Sequence, residues 1–211
     1  MNRDNSFKQA EQTWDGRFSG PDFLFGTEAN AYLAQHRSLL VAGKAALAVA
    51  DGEGRNSVWL ARQGLHVDAF DISSVGVAKA ARLAREHDVT VDLRVADCDD
   101  WKWRPAAYDF VAAIFVQFAG PAMRRRMFAG MIDTLKPGGF LIIQGYTPKQ
   151  LDFKTGGPGL LDHLYTTSMM CDAFASLDII ELREYETELA EGAQHVGRSA
   201  LLGMVARKPA R

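Results

Sequence analysis

Seven residues, Ala50-Asp51-Gly52-Glu53-Gly54-Arg55-Asn56, separate an apolar run from an amphipathic one. Glycine lets the backbone take positive φ and lets a ligand lie close against the main chain. At the start of a helix the free N–H groups point toward such a ligand. The turn therefore has the form expected for a nucleotide-like molecule lying on backbone. A dinucleotide fingerprint asks for a third small residue, glycine or alanine, where this chain has Ser57. The charges say more. Asp51 and Glu53 would repel a pyrophosphate and attract a cation with a free amino group.

S-adenosylmethionine carries a sulfonium and an ammonium and no phosphate, so the sign of the turn points to that cofactor. Asp71 ends the next apolar run about twenty residues on, where an acid can accept both ribose hydroxyls. Nicotinamide and S-adenosylmethionine sites share that feature, and the same acid could instead serve the start of the next helix beside Ser73 and Ser74. In ADCDDW, Asp97 is suited to accept from an adenine amino group and the Cys98 N–H to donate to a ring nitrogen. Asp99 and Asp100 read as loop acids, and Cys98 as a small wall residue rather than a nucleophile.

The elements that must position these residues alternate in type. Ala45 to Ala50, Leu65 to Phe70, Thr90 to Val95 and Tyr108 to Val116 read as strands, and a turn at LKPGG leads into a fifth. Arg55 to Gln63, Ser74 to His87 and Pro121 to Leu135 read as helices, the last with a proline suited to its first turn. That alternation predicts βαβ units and a mostly parallel sheet. Such a sheet binds ligands beyond the carboxyl ends of its strands, where strand order reverses. In the last third, Leu160 to Phe174 predicts a helix. Leu177 to Glu188 and Arg198 to Lys208 predict a hairpin joined by AEGAQHVG. Before the first strand, Glu28 to Val41 predicts an amphipathic helix. The first 26 residues carry Phe7, Trp14, Phe18, Phe23 and Phe25, which must pack on something.

The 211 residues are 47% hydrophobic and 24% charged, which suits one domain with a real core. A net charge of -2 creates no field for nucleic acid or an anionic membrane, so neither is expected as a partner. Cys98 and Cys171 stand apart and outside any Cys/His cluster, so neither a disulfide framework nor a metal site is expected. The polar N-terminus lacks the apolar stretch of a signal peptide, and no apolar run reaches about 18 residues. A soluble, reduced, cytoplasmic protein is expected.

Taken in order, GEGRNSVWLA, FDISSVGVAKA, VADCDD, IFVQF, LKPGGFLIIQGYTPKQL and TGGP resemble the motifs of class I S-adenosylmethionine-dependent methyltransferases. WDGRF, FLFGTEAN and EGAQHVG resemble the small bacterial branch near the tellurite-resistance methyltransferases. The resemblance covers about Trp14 to Pro209. It implies a Rossmann-like α/β fold with a seven-stranded, mostly parallel sheet in the order 3-2-1-4-5-7-6, strand 7 antiparallel and helices on both faces. It implies a single domain over 1–211, with a helical N-terminal segment (1–43) as a lid on a sheet core (44–211). The turn residues Ala50, Asp51, Gly52, Glu53, Gly54, Arg55 and Asn56 would hold the methionine part. Asp71 and Ile72 would hold the ribose, and Asp97 and Cys98 the adenine. The fourth-strand end, Phe115, Val116, Gln117 and Phe118, would lie under the sulfonium, and the N-terminal segment with Trp14 would either fold over the cofactor or pin the tail to the core. The family's first motif is an acid, a hydrophobic residue, then GxGxG. Here Ala48 replaces the acid and Ala50 the first glycine, leaving Asp51 or Glu53 to compensate.

Methyl transfer is an in-line displacement on a sulfonium carbon, so the protein supplies orientation and desolvation. A thiolate or a chalcogen or metalloid oxyanion needs no base, whereas an alcohol or amine usually does. Candidate residues for the acceptor side are Trp14, Arg17, Phe18, Phe23 and Phe25 from the N-terminal segment. Gln117 could orient a ligand but is a poor base. The late loops add Tyr146, Thr147, residues 155–158, and Glu191 with His195. His195 sits in the hairpin connection and reads either as a base or oxyanion binder on the active face or as a structural or solvated histidine. The expected activity is methyl transfer to a small-molecule acceptor. A nicotinamide-dependent oxidoreductase and a non-catalytic S-adenosylmethionine-binding protein are the alternatives.

Overall fold

The computed structural model describes residues 3–210, with side chains from residue 8 onward, so Phe7 lies outside the described side chains. The helices are α1 (Arg3–Phe18), α2 (Ala31–Gln35), α3 (Arg55–Arg62), α4 (Ser74–Glu86), α5 (Pro121–Thr134), α6 (Gln150–Phe153) and α7 (Thr167–Ala173). The strands are β1 (Ala45–Val49), β2 (His66–Asp71), β3 (Val91–Val95), β4 (Tyr108–Ile114), β5 (Leu135–Tyr146), β6 (Asp178–Glu191) and β7 (His195–Arg207). They form one sheet in the order β3-β2-β1-β4-β5-β7-β6. The first five are parallel, and β7 runs antiparallel to both β5 and β6. This is the expected order, and it reverses between β1 and β4.

Both faces of the sheet are covered, and the strands show why. Leu47 and Val49 of β1 face one core while Ala46 faces the other, the two-residue period of an extended chain. The first core is filled by Phe128 and Met131 of α5 and by Met170 and Phe174 at α7. The second is filled by Tyr32 and Leu33 of α2 and Leu60 of α3.

Three local expectations differ. Glu28 to Val41 forms only α2 and a 3-10 turn at Arg37–Leu39. Its start is set by Asn30, whose side chain accepts from the Leu33 N–H and so begins the helix at Ala31, three residues later than expected. Leu160 to Phe174 is broken into a 3-10 turn (Leu161–His163) and α7. Between them the Tyr165 N–H donates to the Tyr146 carbonyl at 2.9 Å, which holds this stretch extended beside the end of β5. The LKPGG turn lies within β5 as a bulge. Tyr108 pairs with Leu135 and Phe110 with Phe140, so residues 136–139 loop outward.

α1 is fixed at its C-terminal end. Asp15 accepts from the Ser73 and Ser74 hydroxyls and, at 3.1 Å, from the Val75 N–H at the start of α4. A carboxylate there is favoured by the helix dipole. Phe18 is buried against the backbone of Gly52 and Gly76, its ring carbons 3.2 Å and 3.1 Å from where a β-carbon would stand on each. The chain then crosses to meet the β6–β7 hairpin. The Ala193 N–H donates to the Leu24 carbonyl at 2.9 Å. Gly192, at φ +64°, lies so close that a β-carbon would fall 2.4 Å from the Leu24 oxygen.

Candidate active site

A cavity of about 650 Å³ lies at the carboxyl ends of β1 and β4, between the sheet, α1 and the hairpin tip. That is within the range of small-molecule sites. Its floor begins with the glycine turn. Ala50, Gly52 and Gly54 all have left-handed φ, at +47°, +60° and +92°. Gly52 lines the cavity. Gly54 does not, and a β-carbon on it would stand 2.7 Å from the Ala80 Cα, so it brings α3 against α4. Ala50 lines the cavity in a conformation that suits glycine, with no glycine there.

Two acids line the cavity beside this turn. Asp71 accepts from the Gly52 N–H at 2.8 Å and from the Ser73 N–H at 2.9 Å. Asp51 accepts from the Ser57 N–H at 3.3 Å, at the start of α3. Burial pushes the Asp51 carboxyl up to about 7, against the hydrogen bonds from Ser57, with Asp71 adding repulsion. Burial also pushes Asp71 up to about 6, against the Ser73 and Gly52 hydrogen bonds. A cation in the cavity would relieve both.

Glu53 departs from expectation. It is buried, turned from the cavity, and paired with Lys79 at 2.7 Å, while its other oxygen accepts from the Leu24 N–H at 2.7 Å. Its charge is therefore spent on tying the N-terminal segment to α4, and the cavity's negative sign comes from Asp51 and Asp71. Val116 also departs. It follows Phe115, which lines the cavity at φ +57°, and points into the sheet core.

Trp14, Arg55, Asn56, Ile72, Asp97 and Cys98 all border the cavity. Asp97 accepts from the Asp99 and Asp100 N–H groups at 2.7 and 2.8 Å, which shapes the loop after β3. Cys98 is buried with its sulfur 3.5 Å from that of Met127, and burial pushes its thiol far up, as suits a wall residue. Gln117 lines the cavity with its amide fully engaged. It donates to the Tyr146 and His163 carbonyls at 2.9 and 3.2 Å and accepts from the Tyr146 N–H. It clamps the end of β4 to the end of β5 and has nothing left for proton transfer.

The far end of the cavity is aromatic. The His195 ring centroid lies 4.5 Å from Phe25, 4.3 Å from Phe115 and 5.9 Å from Tyr146. Arg17 stands 4.4 Å over the Trp14 ring at the rim. Behind His195, Glu191 pairs with Arg55 at 2.8 Å and with the imidazole Nδ1 at 3.7 Å. Burial works against the Glu191 charge, but His195 and Arg55 outweigh it and hold the carboxyl at about 2. Burial holds the His195 imidazole below its usual value, with Arg55 and Arg17 adding to that and Glu191 opposing it.

Asn30 belongs to this assembly and was not among the expected site residues. Fully buried, it donates to Gln144 at 2.6 Å and Glu191 at 2.9 Å, and its N–H donates to Asn56 at 3.0 Å. Its one local signal is an asparagine just before AYLAQ, a helix cap. Among the described residues, no cluster of three or more His, Cys, Asp or Glu could hold a metal, and no helix is long and apolar enough to cross a membrane.

Residues 46–139, a little under half of the chain, match the family model described as a methyltransferase domain. No curated protein sequence matches the chain. Solved structures match its fold. One comes from work on conversion of a disulfide bond into a thioacetal group during echinomycin biosynthesis, with TM-score 0.77, 17% identity, and coverage of 95% of this chain and 92% of that one. TehB from Haemophilus influenzae has TM-score 0.69 and 15% identity, covering 94% and 66%. The N-methyltransferase NodS from Bradyrhizobium japonicum WM9, solved with S-adenosyl-L-homocysteine, has TM-score 0.69 and 13% identity, covering 94% and 98%.

Proposed function

We propose that the chain is a class I S-adenosylmethionine-dependent methyltransferase and that it moves the methyl group to a small-molecule acceptor held at the aromatic end of its cavity. The observation that carries the reading is the pair of acids, Asp51 on the glycine turn and Asp71 at the end of β2 beside it, at the switch point of the sheet. Both carboxyls are destabilised as anions by burial, which suits a ligand that brings positive charge and no phosphate. The cofactor supplies an electrophilic methyl on a sulfonium when bound.

The chain's own residues divide the work. Asp51 and the α3 amides serve the amino-acid part, Asp71 and Ile72 the ribose, and Asp97 and Cys98 the base. Phe115 and the Gln117 clamp keep the end of β4 rigid beneath the reacting centre. Trp14 and Phe18 of α1 serve as a lid that excludes water, so that the reaction runs in a dry site. A cavity closed by one helix and a hairpin tip suits a small acceptor better than a protein or nucleic acid, and the same reading has the enzyme act in the cytoplasm.

Calorimetric titration with S-adenosylmethionine, S-adenosylhomocysteine and NADH tests the reading. Micromolar binding of the first two and none of NADH is expected. Binding of NADH alone would overturn it.

A further inference from the structure

Resting on the methyl-transfer reading, we propose that His195 removes the proton of a flat, protic acceptor of the phenol or aromatic thiol class, and that Glu191 positions its ring. The imidazole meets a protein carboxylate through one nitrogen only. Nδ1 is buried and faces the Glu191 carboxylate at 3.7 Å. Because His195 lines the cavity, the opposite edge, carrying Nε2, is the part left to meet a ligand. No described residue hydrogen-bonds to Nε2.

The groups that face His195 come from several elements: Glu191 from β6, Arg55 from α3, Arg17 from α1 and Tyr146 from β5. Burial, Arg55 and Arg17 keep the ring neutral near neutral pH, so it can accept a proton. Glu191 then steadies the imidazolium that forms. The Arg55 ion pair keeps Glu191 ionised.

The surroundings select the acceptor. Phe25, Phe115 and Tyr146 present ring surface around the imidazole, which favours a flat aromatic partner over a small hydrated oxyanion. The Tyr146 hydroxyl is buried without a hydrogen-bond partner. In the step itself the acceptor O–H or S–H bond breaks and its proton goes to Nε2. The electron pair left on the acceptor forms the bond to the methyl carbon. The carbon–sulfur bond breaks as its pair returns to sulfur, and the imidazolium later releases the proton to water.

The test uses the full chain, the probes 4-nitrophenol and thiophenol, and the variants His195→Gln and Glu191→Gln. Calorimetry first checks that each protein binds S-adenosylmethionine. If wild type does not, the methyl-transfer reading itself fails. With binding intact, wild type should methylate a probe, and His195→Gln should lower kcat about 10²–10⁴-fold. Glu191→Gln should lower kcat roughly tenfold with KM little changed, and move the rising limb of the pH profile to lower pH. By NMR, in the S-adenosylhomocysteine complex, His195 should titrate below the ordinary histidine range, and 4-nitrophenol should shift that titration. This readout needs no turnover and no folded variant. An unmoved His195 titration overturns the proposal. So does wild-type turnover of tellurite or selenite but of neither probe, or no turnover of any of them. Activity of His195→Gln within about threefold of wild type overturns it as well.

Discussion

The Asp71 carboxylate lies 2.8 Å from the Gly52 amide, so the acid at the end of β2 holds the glycine turn as well as facing the cavity. Its second oxygen is held by the Ser73 N–H, which joins the turn to the start of α4. Asp71→Ala removes two charge-assisted hydrogen bonds at once. The expected loss of stability is about 2–3 kcal/mol, with S-adenosylmethionine affinity falling roughly 10–100-fold. Urea denaturation and calorimetry measure the two separately. A variant with normal stability and unchanged affinity would rule out the ribose assignment.

The two cavity acids also set a pH dependence. Their carboxyls titrate at about 7 and about 6 in the folded protein, against 3.8 as the ordinary value. The folded state therefore binds protons more tightly than the unfolded chain. Stability of the ligand-free protein should fall as pH rises through the window from 3.8 to about 7. A cationic ligand reverses the balance by stabilising the Asp51 carboxylate, so binding expels a proton. Affinity for S-adenosylmethionine should rise with pH up to about 7 and level off above it, with a slope approaching tenfold per unit at the acidic end. Calorimetry in two buffers of different ionisation enthalpy counts the released proton. Asp51→Asn should abolish most of the release. A pH-independent affinity in wild type would mean that no cation sits on Asp51.

The alternation of strands and helices and the acid-bearing turn are legible in the chain because their signals are local, whereas the strand order is implied only by the family resemblance. Apolar runs of period two, a glycine pair and an acid at a strand end each occupy a few neighbouring residues. Glu53 is misread for the opposite reason: Lys79, its partner, is 26 residues away and meets it only when α3 packs on α4. The same applies to His195. Its meaning depends on hairpin register, which sets it opposite Glu191, and on Phe25 arriving from the other end of the chain. Val116 turns into the core because Phe115 breaks the strand with a left-handed φ of +57°, which no residue type there signals. Amphipathic spacing alone extends the helix over Glu28 to Val41, whereas the Asn30 cap starts it at Ala31.

Ala50 holds a left-handed backbone conformation at φ +47°, where a β-carbon costs roughly 1 kcal/mol. Glycine would remove that strain while adding freedom to the unfolded chain, which offsets part of the gain. Ala50→Gly should therefore leave stability unchanged or raise it by up to about 1 kcal/mol. Ala50→Val should destabilise by more than 1 kcal/mol, because a β-branched side chain tolerates this region worse than alanine. Paired urea titrations of the two variants read the sign. If glycine instead costs stability here, the turn is held by packing rather than strained by its alanine.

Asp15 ties α1 to the start of α4, where it reaches three donors. Burial raises its carboxyl, but the Ser73, Val75 and Ser74 hydrogen bonds outweigh that and lower it. The anchor is accordingly present above the ordinary carboxylate range and lost as pH falls through the folded value. Asp15→Ala should cost about 1 kcal/mol, the usual worth of such a helix-terminal contact. Because Trp14 and Phe18 flank Asp15 on the same helix, loosening α1 also uncovers the glycine turn. Bound S-adenosylhomocysteine should then dissociate several-fold faster, while the contacts proposed for Asp51 and Asp71 are untouched. Hydrogen exchange should rise in α1 and stay unchanged in β1 and β4. Faster exchange in α1 without a faster dissociation rate would mean that the helix packs on the cavity without gating it.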